Sequence, residues 1–98
     1  MKVLLIHPPL KQEIWGTDSY LPLGMAYVGA AMEEAGHKVV ALDMLMNPMS
    51  DDRFADEVRR ENPDLVAFSV VTPAVKSVFR LAGVVKQSSK AKVLLGGP

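Results

Sequence analysis

The sequence predicts an α/β domain: a parallel sheet with helices on both faces. Three observations carry this. Four short runs rich in Val, Leu and Ile recur along the chain. Segments with helical spacing separate each run from the next. Proline, glycine and serine stand where one kind of segment gives way to the other. Alternation of this kind produces parallel strands linked by right-handed crossovers.

The elements follow in order. Lys2-Val3-Leu4-Leu5-Ile6 is a continuous apolar run stopped by Pro8 and Pro9, the pattern of a strand buried on both faces. The span from Pro22 to Ala35 starts on a favoured first-turn residue and ends at Gly36, a favoured C-terminal cap. Lys38 to Asp43 (KVVALD) is the second strand. Ser50 can cap a helix whose first turn holds Asp51 and Asp52, and Pro63 stops it. Asp64 to Val71 (DLVAFSVV) is the third strand. Thr72 and Pro73 form a cap-plus-proline start for a third helix. Val75, Val78, Phe79, Ala82 and Val85 mark its apolar face. Lys92 to Leu95 (KVLL) is the fourth strand. The chain closes on Leu-Gly-Gly-Pro, leaving a strand of the buried type at an open edge. The expectation is an incomplete domain spanning 1–98, its final helix and strand missing.

Composition removes several function classes. Ninety-eight residues make one small domain. Eleven Lys and Arg balance eleven Asp and Glu, so no basic stripe marks a nucleic-acid binder and no polybasic segment a membrane contact. An apolar fraction of 49% with 22% charged residues is globular rather than disordered. With no cysteine there is no disulfide, thiolate nucleophile or thiolate-held cluster in this stretch, and a cytoplasmic setting fits. The first residues lack the long apolar core of a signal peptide. The longest uncharged stretch, Ser19 to Met32, is shorter than the roughly 20 residues that span a bilayer.

Sheets of this class bind ligands beyond the carboxyl ends of their strands. The first exit, His7-Pro8-Pro9, excludes a dinucleotide loop, because proline has no N–H to offer a pyrophosphate. No G-x-x-x-x-G-K-[ST] phosphate loop occurs, and Ser69 and Val70 stand where a phosphoacceptor receiver needs an aspartate. His7 reads as a locally hydrogen-bonded histidine rather than a metal ligand, since no acidic or cysteine cluster accompanies it. His37 lies just past a helix end, where it can meet the dipole. Trp15, Gly16 and Tyr20 suit either an aromatic lid or a loop packed on the sheet end. Gly24, Ala26, Gly29, Ala30 and Ala31 give the first helix small sides, explained by close packing or by room for a ligand. Asp43 suits a turn better than a ribose contact. Met44, Met46 and Met49 read as flexible cover for the core.

Two exits carry more. Ser69-Val70-Val71-Thr72-Pro73 puts two hydroxyls at a strand exit that leads into a helix N-terminus, a setting for polar ligand groups. Gly96-Gly97-Pro98 removes side chains at the next exit, so that a bulky ligand can lie against backbone.

Together, KVLLIHPP, LPLGMAYVGAAMEEAGHKV, the aspartate of VVALD, NPDLVAFSVVTP and KVLLGGP resemble the N-terminal cobalamin-binding domain of radical S-adenosylmethionine enzymes, over nearly the whole chain. The resemblance implies a flavodoxin-like, Rossmann-like fold with strand order 2-1-3-4. It implies cobalamin across the carboxyl edge, its nucleotide tail entering between sheet and helices. Ser69 and Thr72 would then bond the tail, Gly96 and Gly97 would let it pass the backbone, and Leu23 and Gly24 would line the pocket. The cobalt-ligating D-x-H-x-x-G motif of methionine-synthase-like domains is missing, as in many radical-enzyme members. The C-x-x-x-C-x-x-C motif is missing too, so S-adenosylmethionine and a 4Fe-4S cluster would belong to a downstream barrel domain of the same chain. The implied function is a cobalamin-binding module of a methyltransferase or cyclase, with no catalytic residue of its own. The competing reading is a cofactor-free interaction domain of such an enzyme.

Overall fold

A computed structural model describes residues 1–8, 23–44, 47–69 and 74–96, with the side chains of 23–26 outside that description. The element order is β1 (Lys2–His7), α1 (Leu23–Glu34), β2 (Lys38–Asp43), α2 (Asp51–Glu61), β3 (Leu65–Ser69), α3 (Val75–Ser88) and β4 (Lys92–Gly96). All pairings are parallel, in the order β2-β1-β3-β4. Leu4 stands opposite Val66 on the adjacent strand β3. The expected α/β architecture and strand order are those observed.

Because strand side chains alternate between faces, the register sorts the core into two layers. Leu4, Ile6, Val66 and Phe68 point to one face, where Phe54 and Val58 of α2 and Val78, Leu81 and Val85 of α3 cover them. Val3, Leu5 and Ala67 point to the other, packed with Val39 and with Met32 of α1. Gly29 explains how α1 comes so close. A Cβ there would sit 3.2 Å from Leu5 Cδ1 and 3.7 Å from Val39 Cγ1. Close packing thus accounts for Gly29, whereas Ala30 and Ala31 are exposed.

Local chemistry fixes the helix ends. The Ser50 hydroxyl accepts from the Arg53 N–H at 3.2 Å, the cap its position predicts. At the other end Asn62 takes a left-handed conformation (φ 46°, ψ 57°) and its N–H reaches the Val58 carbonyl, which ends α2 one residue before Pro63. Asp64 ties the amino ends of the strands: its carboxylate accepts from the Lys2 N–H at 2.8 Å, and its carbonyl accepts from the Lys92 N–H at 3.1 Å. Met44 is buried in the core and Met49 packs against it, as cover rather than ligand lip.

The expected face of α3 is corrected. Phe79 is 64% exposed, while Leu81 and Ala74, both fully buried, take its place. The helix is turned so that Ala74, Val78, Leu81 and Val85 face the sheet. Arg80 then reaches sideways to Asp51 of α2 at 3.1 Å. Its N-cap is Ala74, with no side-chain capping bond; Thr72 and Pro73, the expected start, lie outside the described residues.

Candidate functional site

The carboxyl ends of the strands form one row. Parallel register pairs His7 with Asp43 and Ser69 with Gly96, and one step beyond the Ile6–Phe68 pair sets His7 beside Ser69. Registered partners in a parallel sheet share a face. Asp43, His7, Ser69 and Gly96 therefore project, in sheet order, toward the layer that holds α1.

Each member contributes different chemistry. Ser69 is half-buried, and among the described residues its hydroxyl makes no hydrogen bond. Gly96 has neither of the usual structural reasons to be glycine. Its φ lies outside the left-handed region, and a Cβ would meet nothing within 4 Å among the described residues. The contrast with Gly29, whose missing Cβ is required by Leu5, is direct. On the same face, Ala67 pairs with Leu94 just behind Ser69 and Gly96, so the approach is lined by small residues next to an apolar one. That is a shelf on which a bulky ligand can lie against backbone while a hydroxyl bonds its polar atoms. It fits the cobalamin tail that the sequence resemblance implies.

His7 and Asp43 occupy the other half of the row. His7 Nδ1 lies 3.2 Å from Asp43 Oδ1, and both side chains are partly buried, 19% and 26% exposed. The expectation of a locally bonded histidine matches this contact. The Met44 N–H, immediately after, bonds the His7 carbonyl at 2.9 Å and so draws the two strand ends together. In the sequence these two residues stand 36 positions apart, with nothing local to link them. Their shared position as last residues of neighbouring parallel strands was the signal that joins them. His37 is placed elsewhere, past the end of α1, with its Nδ1 3.0 Å from the Met1 amino nitrogen.

Of the residues expected to bind the cofactor, Ser69 and Gly96 come together as register neighbours. Leu23 and Gly24 open α1 on the same side of the sheet. Thr72 and Gly97 lie outside the described residues, as do Trp15, Gly16, Tyr20, Met46 and Pro98. Among the described residues, no group of three or more His, Asp or Glu side chains is placed to hold a metal ion. No described helix is long and apolar enough to cross a membrane.

Comparison with known proteins adds three findings. The family model for the B12 binding domain matches residues 17–98. The chain is 29% identical over 102 aligned residues to an uncharacterized methyltransferase of Pyrococcus horikoshii, the match covering 100% of this chain and 22% of that protein. It is also 29% identical over 102 residues to the anaerobic magnesium-protoporphyrin IX monomethyl ester cyclase of Rubrivivax gelatinosus, covering 99% of this chain and 18% of the cyclase. The chain thus spans about a fifth of the length of these curated relatives. No solved structure matches at the same stringency.

Proposed function

This chain belongs to the B12-binding domain family, and from that premise we propose that it is the cobalamin-binding N-terminal module of a larger radical S-adenosylmethionine enzyme of the methyltransferase or cyclase type. The observation that carries the site is Gly96: a glycine that neither its backbone conformation nor packing among the described residues requires, in register with a half-buried serine hydroxyl. Ser69 and Thr72 hydrogen-bond the nucleotide tail. Gly96 and Gly97 let it approach the backbone, and Leu23 and Gly24 line the same pocket. Bound cobalamin supplies the cobalt that carries a methyl group or electrons; the residues of this module hold and shield it.

That the relatives are a methyltransferase and a cyclase, and that this chain covers a small share of each, supports a catalytic partner domain downstream. On this reading the iron–sulfur cluster and S-adenosylmethionine reside in that domain, and the setting is cytoplasmic. The outer edge of β4, where Leu94 and Leu95 are half exposed, is open to pairing with a further strand.

Two measurements test the proposal. The full-length chain should bind hydroxocobalamin with the visible spectrum of a cofactor that lacks a histidine bond to cobalt. The coding sequence after Pro98 should contain C-x-x-x-C-x-x-C. A full-length chain that binds no cobalamin is the cofactor-free interaction domain instead, and loss of the cysteine motif removes the radical-enzyme assignment.

A further inference from the structure

The winding of the sheet reverses between β1 and β3. From β1 the chain runs by α1 to β2 on one side. It then returns across the sheet to β3 and continues by α3 to β4 on the other. In open α/β sheets the crevice at this reversal is where ligands sit. Its two walls here are the exits of β1 and β3, which end on His7 and Ser69. The proposed site uses Ser69 and leaves His7 without a part.

The contacts of His7 define what it offers. A carboxylate oxygen accepts hydrogen bonds, so the tautomer that fits the 3.2 Å contact with Asp43 Oδ1 carries its hydrogen on Nδ1. In the neutral ring Nε2 then holds a bare lone pair, and the carboxylate behind the ring keeps that tautomer and orientation. Among the described residues nothing bonds Nε2. Two strands of a sheet lie about 4.8 Å apart, so a ligand whose tail lies against Ser69 and Gly96 holds its macrocycle within reach of the neighbouring β1 exit.

We infer that His7 is a cofactor-binding residue whose Nε2 accepts a hydrogen bond from a primary amide at the edge of the bound ring. The inference rests on the cobalamin reading and deepens it. A corrin carries primary amide side chains around its rim, which supply N–H donors. A nucleotide or flavin phosphate presents only acceptor oxygens, which oppose a lone pair. The His7–Asp43 pair therefore selects an amide-rimmed ligand over a phosphate-led one, and it makes no bond to cobalt.

The test is a hydroxocobalamin titration of the full-length chain, followed by visible spectrum, with thermal melts confirming that each variant is folded. His7→Ala should weaken binding about 2- to 13-fold, the worth of one neutral hydrogen bond, and leave the spectrum of the bound cofactor unchanged. His7→Gln places an acceptor near the position of Nε2 and should restore affinity. If His7→Ala does not fold, His7→Leu, with similar bulk and no nitrogen, should show the same loss. The inference is overturned if His7→Ala binds like the wild type, if it shifts the bound spectrum, or if His7→Gln is as weak as His7→Ala. A wild-type chain that binds no cobalamin overturns the functional reading itself, and this inference with it.

Discussion

Replacing Gly96 by valine separates what the fold needs from what a ligand needs. Glycine in a strand is destabilising by roughly 0.5–1 kcal/mol relative to alanine, and valine is a favoured strand residue. The position has room, since an added Cβ would touch nothing within 4 Å among the described residues. Gly96→Val should therefore leave folding stability unchanged or raise it by up to about 1 kcal/mol. Binding should move the opposite way. A branched side chain on the shelf beside Ser69 overfills the contact with the tail, at about 1–3 kcal/mol, or about 5- to 150-fold in affinity. Thermal melting by far-UV circular dichroism and a hydroxocobalamin titration of the same full-length variant read both. Wild-type affinity in Gly96→Val would refute the placement of the tail. A melting temperature several degrees below wild type would refute the claim that the fold does not need this glycine.

Other outcomes follow from the same geometry. Ser69→Ala should weaken cobalamin binding about 2- to 13-fold by removing one hydrogen bond, with no change in melting. In α1, Gly29→Val should destabilise by about 1–3 kcal/mol, because a Cβ alone already comes within 3.2 Å of Leu5. By contrast Gly83→Ala in α3, where a Cβ meets nothing within 4 Å among the described residues, should stabilise by about 0.8–1 kcal/mol through helix propensity; a chemical denaturation series compares the two. The hydrogen bond from Lys2, 2.8 Å away, holds the Glu61 carboxyl below its usual 4.5 against a smaller opposing effect of burial. A lowered folded value means that this contribution is complete above 4.5 and fades as pH falls through the folded value. Lys2→Met should therefore flatten the acid limb of the stability–pH curve and leave its shape near neutrality unchanged.

What the sequence made legible depended on how far its signals reach along the chain. Strands such as KVLLI and KVVALD announced themselves as short runs of branched apolar residues, although only β1 is buried on both faces and the edge strand β2 stays partly exposed. Ser50 and Pro63 bracketed α2 through contacts made within one turn. The phase of α3 was less accessible. Val78 and Val85 satisfy a face that includes Phe79 as well as one that includes Leu81, and packing against α2 and the sheet decides between them. Phe79, the larger side chain, is the one left outside. In the candidate site, Ser69 and Gly96 could be singled out because a serine and a glycine are conspicuous at strand exits. The His7–Asp43 pair could not be seen from either residue alone, since 36 positions separate them and only the strand order makes them neighbours.

That strand order also dictates when the domain can assemble. One of the two inner strands, β1, comes first of the four along the chain, and its partners lie far beyond it: Lys2 waits for Lys38, and Val3 for Leu65. Among the described residues, no pair of strands is joined by a hairpin that would form as it leaves the ribosome. Closing such long loops precedes any reward from pairing, which makes parallel topologies slow to form and exposed to misassociation on the way. Until β3 has emerged, the apolar run Val3–Ile6 has no second neighbour. A nascent chain stalled before Leu65 should accordingly be a better client for hydrophobe-binding chaperones than one stalled after Gly96.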